Sequence, residues 1–64
     1  MCRSTVYMST KDGVLELMQN AVRLNLEDDL MIIIDDVGER LDLRNVHVKE
    51  VNLISKNIVL EKDD

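Results

Sequence analysis

Few residues in this 64-residue chain are able to do chemistry. The single cysteine is Cys2 and the single histidine is His47. A cysteine acts as a metal ligand or nucleophile through its thiolate. Packed among apolar neighbours, the same side chain behaves as a small hydrophobe. On the residue alone, both uses of Cys2 are open. His47 stands between Val46 and Val48, so strand alternation turns it away from the valines and toward solvent. Nothing at ligand spacing accompanies it, and it is read as an exposed strand histidine. Met1, Met8, Met18 and Met31 are scattered, which fits core filling better than a thioether site. Asp28-Asp29 and Asp35-Asp36 fall where turns are expected, and aspartate is favoured there for backbone reasons. The first pair lacks the glycine and terminal glutamate of a calcium loop. Neither a glycine-rich phosphate loop nor a nucleophile–base motif is present, so the chain is not read as an enzyme.

The elements that must position these residues are strands. Cys2, Ser4, Val6 and Met8 alternate with Arg3, Thr5 and Tyr7, which predicts a first strand over residues 2–9. Asp12-Gly13 supplies hairpin chemistry, because glycine tolerates the positive φ of a tight turn. A second strand is expected over 14–18. Gln19-Asn20 reads as a break, and a third strand follows over 21–27 with Val22, Leu24 and Leu26 inward. A short helical turn around 16–21 is the alternative there. Leu30 to Ile34 is apolar on both faces and reads as the central strand. Gly38 is the expected positive-φ residue of the next turn. Strands over 40–43, 46–53 and 58–60 complete the chain, with a bulge near Lys49-Glu50 where the phase slips. The fold class is therefore all-β, a single domain over 1–64. Six or seven short antiparallel strands argue for a small closed barrel, since closure removes edges that such apolar strands cannot leave open.

Composition narrows the partners. Hydrophobic residues make up 45% of the chain and aromatics only 2%. A domain this short buries only about 60% of its unfolded surface, so a second copy or a metal is expected to supplement the core. One cysteine excludes an intrachain disulfide. Thirteen acidic against eight basic residues give a net charge of −5, and the basic residues are scattered. Nucleic acid is a poor match to that surface. The longest apolar block, Leu30 to Ile34, is too short to span a bilayer, and no secretory h-region follows the N-terminus. A cytoplasmic location, where a lone thiol stays reduced, is the expectation.

Three stretches carry a family resemblance. Met1-Cys2 leads straight into an alternating strand. The middle reads Leu26-Glu27-Asp28-Asp29-Leu30 through Asp36-Val37-Gly38-Glu39. The end reads Val48-Lys49-Glu50-Val51-Asn52-Leu53, a turn, then Ile58-Val59-Leu60-Glu61. Together, over essentially the whole chain, these resemble the CooT family of small nickel-binding proteins. The resemblance implies an SH3-like or Sm-like barrel, a homodimer, and one Ni(II) near the dimer axis with Cys2 as the metal ligand. It also implies a link to nickel delivery to carbon monoxide dehydrogenase or its maturation proteins.

Donor chemistry is consistent with that implication. Ni(II) accepts nitrogen and sulfur donors in a square plane. With Met1 removed, the Cys2 amine and thiolate close a five-membered chelate. With Met1 retained, the Met1 amine, the Cys2 amide nitrogen and the thiolate serve instead. One chain then gives two or three donors, and a two-fold dimer completes four. Arg3 is a candidate to hold the thiolate ionised, although alternation sends its side chain to the opposite face. Two other readings are an Sm-like nucleic-acid-binding module and a small dimeric adaptor.

Overall fold

The computed structural model describes residues 3–64; Met1 and Cys2 lie outside the described residues. Apolar–polar alternation produces six strands: β1 (Ser4–Thr10), β2 (Gly13–Glu27), β3 (Leu30–Asp35), β4 (Arg40–Arg44), β5 (Val46–Asn52) and β6 (Asn57–Lys62). They form one sheet in the order β4-β3-β2-β1-β6-β5. No helix among the described residues is long and apolar enough to cross a membrane.

Two expectations need correction. The sheet is not closed into a barrel, because no ladder joins its edge strands β4 and β5. The strands are also not all antiparallel: β1 pairs parallel with β6, Thr5 opposite Asn57 and Met8 opposite Leu60. A parallel neighbour cannot come from a hairpin, so period-two patterning did not reveal it. The sheet nevertheless bends round on itself. Edge strands β4 and β5 are consecutive in sequence and joined by Asn45 alone, so the two edges meet at that corner.

Positive φ marks the bends. The two strands expected over 14–18 and 21–27 are one 15-residue strand, β2. Asn20 at φ 58° bends it where a break was expected, and the pairing with β1 shifts register nearby. The helical alternative at 16–21 is not formed. Gly13 (φ 129°) and Gly38 (φ 87°) take the left-handed backbone that their turns require. The bulge lies where the phase slip placed it: the β5–β6 register shifts between Val48 and Glu50.

The core lies on one face. Val6, Met8, Ala21, Met31, Ile33 and Leu60 are buried together, with Leu17, Met18, Leu24, Leu43, Val46 and Ile58 packed against them. Val6 and Met8 are thus on the inward face of β1, as alternation required. Leu30 to Ile34 lies in β3, between β2 and β4, one strand from the sheet edge. Its Ile32 is also buried, outside that cluster. Val22 and Leu26 are exposed rather than inward: Val22 falls at the register shift between Ala21 and Arg23, and Leu26 stands near the end of β2, so only Leu24 of the three packs on the core.

Asn45 is a sharp test of the corner. Its φ of 60° is one that asparagine tolerates and β-branched residues do not. Asn45→Val should destabilise the fold by about 1–2 kcal/mol. Asn45→Gly should be close to neutral, and urea unfolding of both variants measures the difference.

Candidate functional site

The sequence-predicted metal ligand, Cys2, lies outside the described residues. The frame that follows it is well defined. Ser4 pairs with Ala21 on one side, and the Thr5 N–H donates to the Lys56 carbonyl at 3.0 Å on the other. Arg3 turns to Asp36, its Nε 3.0 Å from Oδ2. Arg3 therefore has a carboxylate partner of its own.

The acidic pairs behave as turn residues. Asp35 Oδ1 accepts from the Val37 N–H at 3.1 Å and from the Glu39 N–H at 2.8 Å, which holds the β3–β4 turn. Asp28 carries a positive φ of 55°, and Asp29 meets Arg44 Nη1 at 2.7 Å. Arg40 grips Asp42 through two bonds, at 2.6 and 3.0 Å. That contact lowers the Asp42 carboxyl below its ordinary value and raises the Arg40 guanidinium. Both groups are exposed, so the pair adds little stability. Met8 and Met31 are buried and Met18 is half-buried against them, which is core filling.

His47 is exposed, as alternation predicts, but it is not isolated. Its Nδ1 is 2.6 Å from Asp63 Oδ1 and its Nε2 is 3.2 Å from Glu61 Oε1. Lys49 Nζ lies 3.5 Å from the other oxygen of Glu61. Sequence reading missed this cluster because its members come from two strands and the tail. Counting outward from the 53–56 turn and through the bulge puts His47 opposite Glu61, and that count was the available signal. The Asp63 hydrogen bond, opposed by slight desolvation and reinforced by Glu61, raises the imidazole above its ordinary value. The imidazolium is thus favoured in the folded chain. Its stabilising contribution is full below the ordinary histidine value of about 6.5 and is lost as pH rises through the raised one.

The topology keeps this cluster apart from the N-terminal end of β1. Thr5 pairs with Asn57 and His47 with Glu61, four residues further along β6 and roughly 13 Å at the strand rise. Among the described residues, no group of three or more His, Cys, Asp or Glu side chains is arranged to hold a metal ion.

Comparison with known proteins follows from this frame. The family described as "CO dehydrogenase accessory protein CooT" matches residues 1–61. No curated protein matches the chain. The crystal structure of a candidate CooT from Carboxydothermus hydrogenoformans superposes with a TM-score of 0.88 at 17% identity, covering 98% of this chain and 100% of that one. At that identity the likeness establishes the fold, while the match over residues 1–61 establishes the family: the chain belongs to the CooT family of CO dehydrogenase accessory proteins.

Proposed function

We propose that this chain is a cytoplasmic nickel carrier or store that binds one Ni(II) per homodimer through Cys2. It serves the maturation of a nickel enzyme such as carbon monoxide dehydrogenase and is not itself a catalyst. The observation that carries this reading is the family match, which includes Met1-Cys2 and runs to residue 61. The donor set agrees: the described residues hold no cluster of three metal-binding side chains, and Cys2 is the only thiol. Nickel is cargo here. Binding needs the thiolate and a neutral amine, so it weakens as pH falls.

An exposed apolar tip supports a second copy. Leu53 and Ile54, 83% and 95% exposed, cap the β5–β6 turn beside the N-terminal end of β1. A paired assembly would cover that apolar tip and bring two N-termini toward one axis.

Nickel titration of the reduced, untagged chain tests the reading, followed by absorption spectroscopy and native mass spectrometry. The expected result is thiolate-to-nickel charge transfer saturating at one metal per two chains. A dimer that gains no absorption and no metal mass would overturn it and leave Cys2 as a packed residue of a small adaptor.

A further inference from the structure

We propose that His47 is a proton-operated latch that fastens the C-terminal tail to the start of β5, at the corner where the two sheet edges meet. At that corner β4 and β5 are joined by Asn45 and by no ladder. A hollow of about 290 Å³ opens beside it. Leu30, Met31 and Val46 line its apolar part, and Asn45, Asp28 and Asp63 line its polar part. Asp63 ties the tail to the β5 side of this hollow, one rung beyond the Val46–Lys62 pair. Its N–H donates to the Asn45 carbonyl at 2.8 Å, and its carboxylate meets His47 at 2.6 Å.

The imidazole is the part of this clasp that can change. A protonated His47 donates from both nitrogens, to Asp63 and to Glu61. A neutral His47 has one N–H. Whichever nitrogen keeps it, the other presents a lone pair to a carboxylate oxygen at 2.6 or 3.2 Å, which is repulsive. Loss of the proton therefore removes one bond and the charge that strengthens the other.

The surrounding charges favour the closed form. Lys49 comes from β5, Glu61 and Lys62 from β6, Asp63 and Asp64 from the tail, and Lys11 and Asp12 from the β1–β2 turn. Four carboxylates against three ammonium groups leave an excess of negative charge around the imidazole. On the far side of the tail, Asp28 and Asp29 add two more carboxylates near Asp63. Arg44 holds Asp29, while Asp28 adds to the repulsion once His47 is neutral. The latch is thus shut while His47 is protonated and loosens as pH rises through the raised value of the imidazole. Loosening frees Asp63 from Asn45 and opens the Met31 side of the hollow.

Amide hydrogen exchange of the full, reduced chain tests this, with the His47 ring titrated by NMR in the same samples. The Asp63 amide should be protected at acidic pH. Across the His47 titration its exchange should accelerate severalfold beyond the intrinsic base-catalysed trend. The Met31 methyl resonance should shift over the same range, and the Val6 and Leu60 amides should stay protected. In His47→Gln, the Asp63 amide should already exchange fast at acidic pH, with the core amides unchanged. Asp63 exchange that follows the intrinsic trend alone, or that is identical in wild type and His47→Gln, would overturn the latch.

Discussion

Cys2→Ala will lower nickel affinity by more than about 100-fold, beyond the 10–100-fold that follows loss of a supporting group around a metal site. The reason is the donor inventory. Removing the thiolate leaves only amine and amide nitrogens at the N-terminus, and the described residues supply no group of three side chains to replace it. The same variant should unfold at nearly the wild-type denaturant midpoint. Among the described residues, Val6, Met8, Ala21, Met31, Ile33 and Leu60 form the core. Calorimetric nickel titration and urea unfolding, run side by side, read both halves. Unchanged affinity with a lowered midpoint would return Cys2 to the role of a packed hydrophobe. Low pH should imitate the variant in reversible form, since protons compete for the same thiolate and amine.

Ile33→Ala will come close to unfolding the chain. Ile33 is fully buried on β3, between β2 and β4, and belongs to the main cluster. Truncating a buried isoleucine costs about 2–5 kcal/mol, through lost transfer energy and the cavity left behind. At the usual stability per residue, a domain of this size has only about 3–10 kcal/mol in total. Thermal unfolding followed by far-ultraviolet circular dichroism should show a midpoint lowered by well over ten degrees or no cooperative transition. Saturating nickel should recover part of that loss, because a ligand bound only by the folded state stabilises it by mass action. Absence of any recovery, with nickel shown to bind the wild type, would mean that metal and fold are uncoupled.

Much of the sheet was legible in the residues, and what was not has identifiable causes. Alternation gave Val6 and Met8 their inward face, and the slip near Lys49 gave the bulge. Glycine chemistry gave the turn at Gly38. Each of these is a local preference. The failures are non-local or depend on a backbone state that side-chain type only permits. Asn20 bends one continuous strand because asparagine can take a left-handed φ, and the same residue elsewhere ends strands. The parallel partner of β1 arrives from the far end of the chain, so no short window contains both. Closure was expected on the ground that edges are hazardous, yet β5 is interrupted by a bulge, and β4 is five residues long and carries Arg40, Asp42 and Arg44. Those are established ways of leaving an edge unpaired. At the site, the exposure of His47 was legible from strand alternation. The surroundings of His47 were not, because they depend on cross-strand register.

The parallel union of the first and last strands also governs when the chain can fold. A hairpin partner for β1 is available as soon as β2 is made, but β6 is the last strand of the sheet to be made. Until it arrives, Val6 and Met8 have no Leu60 to pack against, and the outer side of β1 is an open template for other chains. The sheet therefore closes on β1 only once β6 is present and, with that pairing so distant in sequence, folding belongs to the slow millisecond-to-second class of β proteins. The first of the six strands to be made is fixed on both sides only by the last of them.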